Sequence, residues 1–192
     1  MVNEKDIIAT YRKYFDGAGF VTSRNSLRVN PTTGKMTVLD NVYLWTSPPD
    51  RKLPVEFAKV NFSLQIQNRG LDSLEGCPTS VGQHFNCSQN RLTNLIGGPK
   101  AVGRDYLAYK NPLESLEGLA TEIGGILMLS YSPTLPLLRA LVAKEIVFDQ
   151  WTHTDVTPPT EILNRYAGQG RAGAIECKRE LVAAGYEGNA RW

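Results

Sequence analysis

The side chains able to carry chemistry in this chain are few: three cysteines, Cys77, Cys87 and Cys177, and two histidines, His84 and His153. A cysteine nucleophile needs a histidine base within hydrogen-bond reach, and a structural zinc needs about four converging thiolate or imidazole ligands. Cys77, His84 and Cys87 are neighbours in sequence, but the alternation of SVGQHFNCSQN turns Cys87 inward and His84 outward. They do not converge, so no metal site is expected. Cys177 shares a helical pattern with Ile175 and Leu181 and reads as a packed thiol. GQGRAG (168–173) lacks the Lys-Ser/Thr of a phosphate loop and any strand before it, so it reads as a turn between two helices. Glu75 and Glu117 belong to turns and read as solvated charges rather than an acid/base pair. With no convergent polar constellation, neither an enzyme nor a cofactor is expected.

Composition narrows the partners. Lys and Arg number 21 against 19 Asp and Glu, for a net charge of +2, and the basic residues are scattered. A nucleic-acid binder clusters them on one face, so no nucleic-acid role is expected. The longest apolar stretch, IGGILMLSYSPTLPLL (123–138), is cut by Gly, Ser and Pro and falls short of the ~20 residues that cross a bilayer. Three cysteines without a disulfide spacing, and no evident signal peptide, point to a cytoplasmic protein with reduced thiols.

What positions the remaining side chains is a repeat of 21 residues. Leu71, Leu92 and Leu113 share a column, as do Leu74, Leu95, Leu116 and Leu137, Gly76, Gly97 and Gly118, and Val60, Val81, Val102 and Ile123. Asn90 and Asn111 match, with Ser132 in the next row. The φ-x-φ segments at Leu64, Phe85, Tyr106 and Leu127 fall in register, and the register extends back to Tyr43 and Trp45 and on to Phe148. A fixed period of this length is the mark of a solenoid. Phe85 and Cys87, Tyr106 and Ala108, and Leu127 and Leu129 then face inward, and stacked rows share one core. Asn90 and Asn111 either bond backbone groups as the chain turns away or form ordinary turns.

The row FNCSQNRLTNLIGGPKAV resembles the short leucine-rich repeats of bacterial effector proteins, and LDSLEGCPTSVG is similar to repeats in proteins of tailed bacteriophages. The resemblance spans roughly residues 38–151 and departs from the usual pattern by one extra residue, as in Val102-x-x-x-Tyr106. It implies an α/β-type, right-handed leucine-rich-repeat solenoid of about five rows, with a parallel sheet on one face. Residues 1–40 form an N-terminal helix and hairpin cap, 41–151 the solenoid, and 152–192 a C-terminal helical cap. The N-terminal helix (3–15) is capped by Asn3, and the hairpin covers 27–38. Helices at 160–167, capped by Thr160, and 171–185 cover the last row with Ile162, Leu163, Ile175, Leu181 and Val182.

The residues between the inward ones define an outer face in three columns: Val42, Ser63, His84, Asp105, Ile126, Val147; Leu44, Gln65, Asn86, Leu107, Met128, Asp149; and Thr46, Gln67, Ser88, Tyr109, Ser130, Trp151. Its later half is apolar, and such patches mark interaction sites. Leu107, Tyr109, Ile126, Met128, Val147 and Trp151 are therefore the candidate protein-binding residues, with His84, Asn86 and Asp105 giving orientation. The same patch suits intramolecular cover by the C-terminal helices. The expectation is a non-enzymatic protein-binding module. By resemblance it is phage-encoded and directed at a bacterial host protein such as a defence or metabolic enzyme; the alternative is a structural component of a virion or other assembly.

Overall fold

A computed structural model describes residues 2–15, 26–149 and 157–192. The chain winds as a solenoid of about five turns, and each turn contributes one short strand to each of two sheets. The first sheet holds β2 (Met36–Val38), β4 (Phe57–Val60), β6 (Ser80–Val81), β8 (Ala101–Val102) and β10 (Glu122–Ile123), all parallel, with β1 (Leu27–Val29) antiparallel on its outer edge. The second holds β3 (Val42–Tyr43), β5 (Leu64–Gln65), β7 (Phe85–Asn86), β9 (Tyr106–Leu107), β11 (Ile126–Leu129) and β12 (Glu145–Phe148), all parallel. The φ-x-φ segments build this second sheet. The first sheet is an addition to the single sheet the sequence suggested, and the column of Val60, Val81, Val102 and Ile123 builds it.

The core lies between the sheets and a strandless third side. Phe85, Tyr106 and Leu127 occupy adjacent rungs and are fully buried, with the Phe85 and Tyr106 rings edge-to-face at 4.9 Å. The leucine columns are buried as well. Each such side chain stabilises by about 1.5–3 kcal/mol, and no rung could bury its own alone.

Two devices hold the pitch. At the corner between the sheets, Gly82, Gly103 and Gly124 stack so closely that a Cβ would lie 1.9–2.1 Å from the carbonyl oxygen one rung back. At the opposite turn the asparagines form a ladder. Asn111 Nδ2 donates to the carbonyls of Cys87 and Ala108, both at 3.0 Å, and its Oδ1 accepts the N–H groups of Asn90 (3.2 Å) and Leu92 (3.1 Å). Asn90 repeats the arrangement one rung back with Ile66, Cys87, Arg69 and Leu71. Backbone groups that the turn would leave buried and unpaired are thereby satisfied.

The register slips at both ends. Val42, not Tyr43, pairs with Leu64, a step longer than the period by one, because a bulge in β4 pairs Met36 with Phe57 but Thr37 with Lys59 and leaves Ala58 over. Val42 and Leu44 therefore point inward and are buried, while Tyr43 and Trp45 point outward. At the other end a short 3-10 helix, Leu138–Val142, shortens the last turn, and Leu127 pairs with Ile146 after a step shorter than the period by two. Phe148 then lies beside Leu129 and not, as the uniform period placed it, beside Leu127.

The caps close the stack. α1 (Glu4–Phe15) buries Tyr11 and Phe15 against Phe57, and Asn3 Oδ1 accepts the Lys5 N–H (3.2 Å). The β1–β2 hairpin turns at Asn30, whose Oδ1 accepts the N–H groups of Thr32 and Thr33. α2 (Thr160–Tyr166) packs on β12, and α3 (Gly170–Ala183) packs on α2 and the 3-10 helix. Thr160 is the first helical residue and not a cap; Pro159 takes that place without a side-chain bond. Ile175 and Val182 are exposed, because the buried face of α3 is Gly173, Ala174, Cys177 and Leu181. Small residues there allow close approach to the stack. No helix of the described residues is long and apolar enough to cross a membrane.

Candidate functional site

The outer face of the second sheet presents the side chains that alternate with the core. Its middle column is Tyr43, Gln65, Asn86, Leu107, Met128 and Val147, one from each strand. Leu107, Met128 and Val147 are thus direct neighbours on three adjacent strands. Val147 belongs beside Met128 and not, as the uniform period placed it, in the column of Ile126; Glu145 takes that position. Ile126 and Tyr109 flank the trio, and all five apolar residues are partly exposed. Trp151 lies outside the described residues, as does His153.

The polar residues also come together. His84 Nδ1 and Asp105 Oδ2 are 2.9 Å apart on adjacent rungs, each side chain about a third exposed. Asp105 is fixed from its other oxygen, which accepts the Ile126 N–H at 2.9 Å. This bond fastens the carboxylate to the rung that carries the apolar residues. Asn86 Oδ1 accepts both the N–H (3.1 Å) and the Oγ–H (2.7 Å) of Ser88, which fixes the side chain of Asn86 on the face. The shortened last turn brings Asp149 from the middle column, where the uniform period placed it, to the third, and there Gln67 Oε1 and Asp149 Oδ1 are buried with no hydrogen-bond partner among the described residues, a costly arrangement for polar atoms.

Ser63, His84 and Asp105 stack in one column, the residue types of a nucleophile, base and carboxylate. Ser63 Oγ instead accepts the His84 backbone N–H at 3.4 Å, and among the described residues it makes no bond to the imidazole. The thiols are not poised for nucleophilic attack. Burial pushes Cys87 up, and it pushes Cys177 from 9.0 up to about 11, with the Glu180 carboxylate adding to the effect. Thiolate, the reactive form, is suppressed at both. Among the described residues no three His, Cys, Asp or Glu side chains gather as metal ligands.

The first row of the face differs from expectation. Val42 and Leu44 are buried, and only Thr46 of the three proposed residues is exposed. Tyr43 and Trp45, expected inside, stack on the face with ring centroids 6.1 Å apart. A one-residue slip exchanges the two sides of a strand, and the bulge at Ala58 has no signal in the periodic count. The face therefore reads as a polar centre of Gln65, Gln67, His84 and Asn86 between an aromatic first row and an apolar end.

No family model, curated protein or solved structure matches this chain.

Proposed function

We propose that the chain is a non-enzymatic protein-binding module of leucine-rich-repeat type, and that the outer face of the second sheet is its site. The observation that carries this reading is the run Leu107–Met128–Val147. Three apolar side chains on adjacent parallel strands stay partly exposed while the same strands bury their alternate residues in the core. Apolar and aromatic side chains of this kind supply the central affinity of interfaces, and a polar rim supplies register. The pair His84–Asp105 and the Asn86 amide stand at that rim. The C-terminal helices pack at the end of the stack, on β12 and the 3-10 helix, which favours an intermolecular occupant over intramolecular cover.

The resemblance to effector and phage repeats directs the search to bacterial proteins, with a phage-encoded inhibitor of a host enzyme as the specific form of the proposal. The test is affinity capture from bacterial lysate with the wild-type chain and with the triple variant Leu107→Ala, Tyr109→Ala, Met128→Ala. A specific protein retained by the wild type and lost by the variant, at unchanged melting temperature, supports the site. Retention of the same protein by both removes the patch from the account. Self-association into a defined oligomer on size exclusion favours the assembly-component reading instead.

A further inference from the structure

A groove of about 500 Å³ opens at the C-terminal end of the solenoid, on residues that the face described above does not use. Its volume falls within the roughly 300–1,000 Å³ of small-molecule sites. Leu138 and Leu141 of the 3-10 helix make a buried floor, and Ala174 of α3 closes one side. Val142 and Trp192 form the rim, 38% and 59% exposed. Trp192 is held there by its neighbour, since Arg191 donates to the carbonyls of Gly188 (3.0 Å) and Thr134 (2.8 Å), and the Arg191 carbonyl accepts the Leu138 N–H (3.1 Å). An apolar floor with an exposed tryptophan beside it is a surface that water covers poorly.

The groove has one charged side chain in its lining, Arg171. Elsewhere on α3 Arg179 pairs with Glu176 at 2.7 Å and Glu180 with Arg165, while Lys178 lies outside the groove's lining. Arg171 has no ion-pair partner among the described residues, and no Asp or Glu lines the groove. The turn that precedes it puts Gly168 and Gly170 in the lining, both at positive φ, while the Gln169 amide between them donates to the Arg165 carbonyl.

From the apolar floor, the aromatic rim and the single unpaired guanidinium we infer that this groove binds a small monocarboxylate with an apolar aliphatic body. The chain lies along Leu138, Leu141 and Val142, and the carboxylate meets Arg171 in a charge-assisted hydrogen bond. The inference is independent of the protein-binding face.

Octanoate, octylammonium and 1-octanol are the probes, each titrated into the purified full chain by calorimetry and by tryptophan fluorescence. Octanoate is expected to saturate at one site per chain, with a fluorescence change that disappears in Trp192→Phe. Octanol is expected to bind at least tenfold more weakly and octylammonium not at all. Arg171→Gln should weaken octanoate about tenfold or more while leaving octanol unchanged. Val142→Glu, a substitution at an exposed rim position, should abolish octanoate binding at an unaltered melting temperature. Absence of saturable octanoate binding to the folded wild type, equal binding of octylammonium, or wild-type affinity in both Arg171→Gln and Val142→Glu overturns the inference.

Discussion

In the middle of the second sheet the inward residues Leu64, Phe85, Tyr106 and Leu127 pair in turn at one constant step. The step before, from Val42 to Leu64, is longer by one, and the step after, from Leu127 to Ile146, is shorter by two. The middle rungs and the end rungs are made of the same kinds of residue, so the difference lies in what fixes the pitch. In the middle, the stacked corner glycines and the asparagine ladder set each rung against the last. At the first turn no ladder asparagine has yet begun, and the β4 bulge decides the register. At the last turn Ser132 stands where an asparagine would, and the chain brings Asn189 from the tail instead. Asn189 Nδ2 donates to the carbonyls of Ser132 (2.9 Å) and Leu135 (2.8 Å), and its Oδ1 accepts the Tyr131 hydroxyl (3.1 Å). Periodicity is thus a property of particular anchors, and apolar spacing alone does not impose it.

The largest effect expected from this contrast is at the corner. Gly103→Ala places a methyl group 2.1 Å from the Gly82 carbonyl oxygen, within rigid backbone. It should cost about 4 kcal/mol or more, the range of severe core defects, or prevent folding, as read by urea denaturation. Gly70→Ala, where a Cβ would meet nothing within 4 Å and only the φ of +68° resists, should cost about 1–2 kcal/mol. Equal costs at the two sites would show that the corner is not what sets the pitch.

Next come the ladders. Asn111→Ala takes the side-chain partner from three buried backbone groups, the Ala108 carbonyl and the Asn90 and Leu92 N–H groups, and leaves the Cys87 carbonyl only its bond from Asn90; it should cost about 3 kcal/mol. Asn164 of α2 plays a related part at the sheet edge, where its side-chain amide pairs with both the N–H and the carbonyl of Ile146 on β12. That edge is only part-buried, so Asn164→Ala should cost about 1 kcal/mol, since water replaces the lost bonds. Chemical denaturation of the two variants side by side ranks them. It also tests whether α2 is the device that blunts the open strand.

The smallest effect is in the pH dependence. Cys177 and Cys87 are held protonated by burial, Cys177 up to about 11. In the unfolded chain a thiol ionises near its ordinary value, so between that value and 11 the folded state retains protons that the unfolded state has released. Stability is therefore fully present below about pH 8.5 and declines as pH rises. Urea midpoints at pH 7, 9 and 10.5 should fall in the wild type and fall less steeply in Cys177→Ala. Parallel pH profiles for the two proteins would show that this thiol does not contribute.

Much of this architecture was legible in the residues. The Leu, Val and Phe columns named the core of the middle rungs, because side chains that repeat at one position must stack if the pitch is constant. Asn90 and Asn111 announced the ladder, since an amide is the side chain that can both donate to and accept from a turning backbone. The end rows were not legible. Ala58 gives no sign that it is the surplus residue of a bulge, and its effect, turning Tyr43 outward and Val42 inward, is felt in the preceding strand of the other sheet. Asn189 acts on the turn at Ser132, far earlier in the chain, a distance no local pattern spans. Of the candidate face, the trio of Leu107, Met128 and Ile126 followed from the period. The place of Val147 did not, because the 3-10 helix shortens the last turn.

The pitch and its one-residue slip together decide which side chains reach the face, and nuclear Overhauser contacts test both at once. Ring protons of Phe85 should show cross-peaks to Tyr106, methyl protons of Leu127 to Tyr106, and methyl protons of Val42 to Leu64, with no contact between the Tyr43 ring and the Leu64 methyls. A Tyr43–Leu64 contact in place of Val42–Leu64, or no Phe85–Tyr106 contact, would contradict the stacked register and with it the composition of the proposed binding face.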